Sequence, residues 1–178
     1  SSNTALCVGP KIEYVAVQSF NPYTGEPATY VCAKALLNAH FNPKAADIAF
    51  EDYKPGDKLV PFKVVAEYKG TDLVGMKYEQ LLPWITPENA DQAFRVIPGD
   101  YVTTEDGTGI VHIAPTFGAD DAKVAKAAGI PPLQLIDKNG NLRPSVDLTG
   151  KFYLLSDLDD EYVKTHINVE EYKQFEGR

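Results

Sequence analysis

"GTGIVHIAPTFGADD", residues 107–121, joins a glycine-rich turn, an apolar strand, a proline and a helix start without an intervening linker. Glu105, Asp106 and Gly107 lie between two strand-like runs and predict a hairpin. Alternation puts Ile110, His112 and Ala114 on one face of the second strand and Val111 and Ile113 on the other. "ADDAKVAKAAG" predicts a short helix. Its acids stand in the first turn, where they complement the helix dipole, and Gly129 ends it ahead of Pro131 and Pro132. Each residue has a plain structural use: a histidine can simply serve a strand, first-turn acids a helix, glycines a turn. Together they allow more. A carboxylate at a helix start can hold an ammonium group while a strand residue floors a nearby hollow, which suits an amino acid or an aminoacyl ester.

Outward from this stretch the chain is rich in short strands. "TALCV", "KIEYVAVQSF" and "ATYVCAK" read as strands, the second alternating around Tyr14, Ala16 and Gln18. "NPYTGEP" between two of them is a loop by its turn residues. "AKALLNAHF" predicts a short helix ended before Pro43, and Pro55-Gly56 a turn before a strand through Val64 and Val65. Trp84, in a proline-punctuated segment, reads as a packing anchor. Asn139-Gly140 marks a tight turn, Ser156 a helix cap, and Asn168 with Glu171 a capping pair. No repeat or low-complexity segment is present. The pattern predicts an α+β, β-rich fold, barrel-like, closed or partly closed, with small peripheral helices.

With 178 residues the chain is expected to form a single domain, 1–178, with a core large enough to need no staple. Apolar content of 44% is ordinary for a globular protein. Cys7 and Cys32 sit in apolar runs and read as small buried residues of a reduced, cytoplasmic protein. No apolar run reaches the ~20 residues of a membrane helix, so no membrane partner is expected. No Cys or His pair has metal-ligand spacing. The net charge of −8, without any basic run, speaks against tight nonspecific phosphate binding by this chain alone. Nucleophile elbows, Walker loops and HExxH motifs are missing, so a hydrolase built here would position a water rather than supply a nucleophile.

"GTGIVHIAP" followed by "GADD" resembles the editing (CP1) domain inserted in class I isoleucyl-tRNA synthetases, with related forms in the valyl and leucyl enzymes. Those relatives typically carry lysine or methionine at the place of His112, which favours the isoleucyl form. Thr116-Phe117 resembles the version found in eukaryotes and some bacteria. "GTDLVGMKYEQLLPW", "SNTALCVGPKIEYVAVQ" and "YVCAKALL" are similar to further segments of the same domain, so the resemblance covers nearly the whole chain.

The resemblance implies post-transfer editing: hydrolysis of valine wrongly esterified to the isoleucine tRNA, by a positioned water. Position for position, Asp121 matches the acid that pairs with the substrate's α-ammonium group. His112 matches the residue that shapes the side-chain pocket against isoleucine, and Asn3 matches a substrate-binding asparagine. Asp120 is left a structural role. The implied partners are the 3′ end of the aminoacylated isoleucine tRNA and the rest of a synthetase chain. No metal or cofactor is implied in this domain, ATP being used by another part of the synthetase. A threonine-rich strand that precedes Asn3 in the family is missing, so the chain is expected to be a fragment with one pocket wall incomplete and weak or no activity by itself. Two other readings stand beside this one: a valyl-type editing domain, and a noncatalytic binding module in which His112 and Asp121 only finish a strand and start a helix.

Overall fold

The structure, a computed structural model, describes residues 2–178. Eight strands follow in chain order: β1 Ala5–Val8, β2 Glu13–Phe20, β3 Pro27–Ala33, β4 Lys63–Lys69, β5 Arg95–Pro98, β6 Ile110–Ile113, β7 Leu135–Ile136 and β8 Leu142–Arg143. The α-helices are α1 Leu37–His40, α2 Gly70–Leu73, α3 Ala119–Ala128, α4 Asp160–His166 and α5 Val169–Tyr172. The α+β, β-rich class expected from the sequence is what the chain adopts. The barrel is not. Two three-stranded sheets, ordered β5-β1-β6 and β3-β2-β4, and a β7-β8 ribbon stay open among the described residues. Closure needs enough tilted strands to bring the two edges together, and three are too few. β4 is moreover an edge strand that carries Lys63, Glu67 and Lys69 toward solvent, side chains that discourage further pairing.

The chain divides into two compact units, the first formed by Ser1–Leu6, Gly75–Ile97 and His112–Arg178, the second by Cys7–Val74 and Pro98–Val111. The second unit is built on β2, which pairs antiparallel with β3 (Tyr14 opposite Ala33 through Phe20 opposite Pro27) and with β4, where the register shifts between Ala16 and Val17. The alternation read from the sequence does not hold in β2. Tyr14, Val15, Ala16 and Val17 are all buried whichever face they take, in a strand that is paired on both edges. Val15, Val17, Cys32, Ala45 and Phe62 form the core of this unit, and Cys7 and Cys32 are both buried thiols. The Asn21–Glu26 loop is closed by the Asn21 N–H donating to Glu26 O (2.8 Å), while Asn21 Oδ1 accepts from the N–H of Tyr23 (2.9 Å).

Tyr14 ties the beginning of the motif into the second unit. Its hydroxyl accepts from the Gly9 N–H (2.9 Å) and donates to Gly109 O (2.6 Å). Gly109 must be glycine on two counts: its φ is +79°, and a Cβ there would come within 2.6 Å of Ala33 Cβ. The hairpin predicted across residues 105–107 does not form. Residues 99–109 form no strand, and carbonyls there are taken elsewhere: Thr108 O accepts from the Ala33 N–H (2.8 Å), and Gly107 O lies 2.6 Å from His40 Nε2.

In the first unit Trp84, Ile85, Leu133, Leu135, Leu158, Tyr162, Ile167 and Tyr172 make one buried cluster. Trp84 is indeed an anchor: its ring stacks on Phe175 at 3.8 Å and meets Phe152 edge-on at 5.3 Å. Asp159, not Ser156, caps α4, its Oδ2 accepting from the Tyr162 N–H at 2.9 Å. Ser156 falls one turn too early, within a 3₁₀ turn over Leu155–Asp157. Asn168 caps α5 as expected, accepting from the Glu171 N–H at 3.3 Å. The Asn139-Gly140 turn joins β7 and β8; Asp137 Oδ1 accepts from the N–H groups of Asn139 and Asn141, both at 2.9 Å. These bonds and the Arg143 guanidinium hold the Asp137 carboxyl below the ordinary range. No helix among the described residues is long and apolar enough to cross a membrane.

Candidate functional site

β6 ends at Ile113, which is fully buried and whose carbonyl accepts from the Thr4 N–H at 2.9 Å. The chain then turns, Phe117 N–H donating to Ala114 O (3.1 Å), and α3 begins after Gly118. Gly118 has no side chain with which to cap the helix, and Asp121 works in a different way. It is the third helical residue, and its Oδ2 reaches back to accept from the Ala114 N–H at 3.0 Å. A Cβ on Gly118 would lie 3.3 Å from both Cβ and Cγ of Asp121, so glycine leaves the carboxylate room to fold back. The far end of α3 is held by Gly129 at φ +73° and by Arg95, whose Nη2 donates to Ala128 O. The helix is therefore fixed at both ends by the protein's own contacts.

A cavity of about 380 Å³ opens beside this turn, within the first unit. Ser2, Asn3, His112 and Ser145 give it a polar side; Ala114, Phe117, Val146 and Phe152 give it an apolar one. Its size falls in the usual range for small-ligand clefts. Ser145 is buried and its Oγ is 2.7 Å from Ser2 Oγ. Asn3 Oδ1 accepts from the Tyr78 hydroxyl at 2.5 Å, and burial pushes the Tyr78 pKa well above its ordinary value, so it remains a donor. Thr116 Oγ1, in the turn itself, is buried with no hydrogen-bond partner among the described residues.

The cavity thus brings together two of the three residues singled out from sequence. Asn3 and His112, far apart along the chain, share it, and His112 is solvent-exposed at its mouth. Asp121 is not among the lining residues. It stands behind Ala114, bonded to the backbone of a residue that does line the cavity, with Oδ1 taking no hydrogen bond from the described residues. The sequence reading missed Ser2, Ser145, Val146 and Phe152. Phe117 carried a usable signal, an aromatic placed in a turn just past a strand, and it is 55% exposed here. Ser145 carried none. No group of three or more His, Cys, Asp or Glu side chains suited to a metal ion is gathered among the described residues.

No protein-family profile matches the chain. It is 75% identical over 177 residues to an isoleucine–tRNA ligase of Bacteroides fragilis, a match that covers 99% of this chain and 15% of that protein. An isoleucine–tRNA ligase of Porphyromonas gingivalis is 58% identical, again across 99% of this chain and over 16% of its own length. One from Clostridium tetani is 37% identical over 82% of this chain and 12% of its own length. The chain therefore spans about 15% of the length of the curated relatives it matches. Among solved structures, the editing domain of a P. knowlesi cytosolic leucyl-tRNA synthetase aligns with a TM-score of 0.48 at 16% identity, over 71% of this chain and 47% of that one. A GlLeuRS-CP1 structure aligns at 0.45 and 20%, over 70% and 37%.

Proposed function

We propose that this chain, which belongs to the isoleucine–tRNA ligase family, is the editing segment of such a ligase and hydrolyses valine wrongly esterified to the isoleucine tRNA. The observation that carries the reading is the cavity at the end of "GTGIVHIAP", into which His112 and Asn3 converge from distant parts of the sequence. Residues with that spacing are the ones the editing-domain resemblance marks for substrate contact. The need for such a site is energetic. One methylene discriminates by only about 1–3 kcal/mol in an apolar pocket, and the isoleucine-versus-valine case is a standard illustration of why a second sieve exists.

In this reading His112 limits the side chain the cavity accepts, and the apolar side formed by Val146 and Phe152 receives the two methyls of valine. Asp121 offers Oδ1 to the α-ammonium group while Oδ2 keeps the turn in place. Asn3 meets the ester, and a water held between these groups attacks the carbonyl, with placement and polar contacts lowering the barrier. A terminal ribose hydroxyl of the tRNA assists. The remainder of the ligase supplies the ATP-dependent chemistry and most of the grip on the tRNA, consistent with a chain that carries −8. The setting is cytoplasmic.

The deciding experiment is deacylation of valyl- and isoleucyl-tRNA by the full-length ligase that carries this segment. Hydrolysis of the valyl ester alone is the expected result. The bond from the Ala114 N–H to Asp121 Oδ2 favours one competing reading, in which the carboxylate only closes a turn. Unchanged deacylation after Asp121→Ala would select it.

A further inference from the structure

We infer that the hydroxyl pair Ser2–Ser145 is the donor that holds the carbonyl oxygen of the ester while negative charge builds on it. The inference rests on the editing reading above. Ser145 is buried, yet it lines the cavity, and its Oγ lies 2.7 Å from Ser2 Oγ. Neither Oγ makes another hydrogen bond among the described residues. Two hydroxyls carry two protons, and their mutual bond uses one. If Ser2 donates, Ser145 keeps its proton; if Ser145 donates, Ser2 keeps its own. Either way one O–H stands at the cavity wall with no acceptor among the described residues. A hydroxyl left so beside apolar side chains is costly, and an oxygen that enters the cavity relieves the cost.

Both hydroxyls are placed by backbone bonds within the first unit. The Thr4 N–H donates to Ile113 O at 2.9 Å, which lays the segment bearing Ser2 beside the end of β6. Just past Ser145, Val146 pairs with Phe152 in a β-bridge, and the Asp147 N–H donates to Lys151 O at 2.8 Å. Asp147 Oδ1 closes that turn by accepting from the N–H groups of Thr149 (2.8 Å) and Lys151 (3.1 Å). A donor that serves a transition state must be held in advance, and these contacts hold it. In the editing reading the valine side chain packs on Val146 and Phe152. The carbonyl carbon is bonded to the same Cα, so a donor next to Val146 stands within reach of the carbonyl oxygen. The water oxygen bonds to that carbon, and the π pair moves onto the carbonyl oxygen, where the remaining O–H meets it. Return of the pair expels the ribose oxygen, which takes one of the water's protons; the other is released as the carboxylate forms.

The test uses the full-length ligase with Ser2→Ala, Ser145→Ala and the double variant, reading kcat and KM for valyl-tRNA deacylation and the isoleucylation rate, each below its Tm. The double variant removes the donor outright. Its kcat should fall by about a hundredfold with KM within about twofold, and isoleucylation should be unchanged. Each single variant keeps one hydroxyl with its proton, so each should lose less than about tenfold. A pair that only ties two segments together is broken as fully by one substitution as by two, so singles that already match the double overturn the inference. So does a loss that falls on KM alone, which is binding without stabilisation of the transition state. A matching fall in isoleucylation marks general damage and overturns it too. If the wild-type ligase deacylates valyl-tRNA and the double variant does so equally well, only the donor role fails; if the wild type leaves the valyl ester intact, the editing reading fails with it.

Discussion

Each unit of this molecule has hollows of its own, and the site proposed above is not in the most capacious of them. In the second unit a hollow of about 590 Å³ is walled by Phe20, Tyr30, Val31 and Phe41. Its polar members serve the fold: Ser19 Oγ donates to Pro61 O (2.8 Å), Asn21 closes its own loop, and His40 is engaged by Gly107 O. Cys32 also lines it, but burial pushes the thiol pKa up, so it stays protonated and inert. In the first unit the smaller cavity gathers Ser2, Asn3, His112 and Ser145 at one side, in pairs such as Ser2–Ser145 and Asn3–Tyr78. Volume measures how much apolar surface failed to pack. Convergent polar groups, each costly to hold near an apolar wall without a partner, measure what a site is for.

The strongest challenge to this contrast comes from Asp121. On the proposed reading Asp121→Ala removes a charge-assisted contact to the ammonium group, and valyl-tRNA deacylation should fall by about a hundredfold, with isoleucine activation unaffected. Deacylation at the normal rate would leave the carboxylate with its turn-closing bond alone and the first unit without its anchor.

Next in size is a purely structural effect in the second unit. Gly109→Ala places a Cβ against Ala33 at φ +79°, and a urea titration should show a loss of about 2–3 kcal/mol. At temperatures where the variant remains folded, deacylation should be intact. Catalytic loss in a fully folded variant would bring Gly109 into the site and blur the distinction between the two cavities.

His112→Ala enlarges the first cavity. Hydrolysis of correctly charged isoleucyl-tRNA should rise by about tenfold, the scale one methylene commands. Unchanged discrimination would assign the sieve to the apolar wall instead. The smallest expected effect belongs to Tyr23, which lines the second cavity but is 95% exposed. Tyr23→Ala should alter stability by less than about 0.5 kcal/mol and deacylation not measurably. A large drop in deacylation would mean that the aromatic hollow takes part in substrate binding.

What could be read in advance follows from where the deciding physics lies. The helix Ala119–Ala128 was legible because first-turn acids and Gly129 act within a few residues of where they stand. So was the turn at Asn139-Gly140, where Asp137 bonds its own loop. Ser156 misled because a serine, too, makes an acceptable cap, and only the path of the chain chose Asp159. The hairpin at residues 105–107 failed because its carbonyls found donors in Ala33 and His40, far away in sequence. The alternation in β2 failed because the strand is paired on both edges and its residues Tyr14–Val17 are buried whichever face they take.

By itself the sequence determined the local pieces: the β-rich α+β class, the buried thiols, and a histidine and an acid set at the two ends of one strand-to-helix turn. The tertiary structure alone decided that the sheets stay open, that Asn3 and Ser145 reach the hollow beside His112, and that the Tyr78 hydroxyl bonds Asn3. Caps and turns are settled by hydrogen bonds that span a few residues. A cavity is settled by which distant segments fail to fill the same volume, and no short-range pattern encodes that.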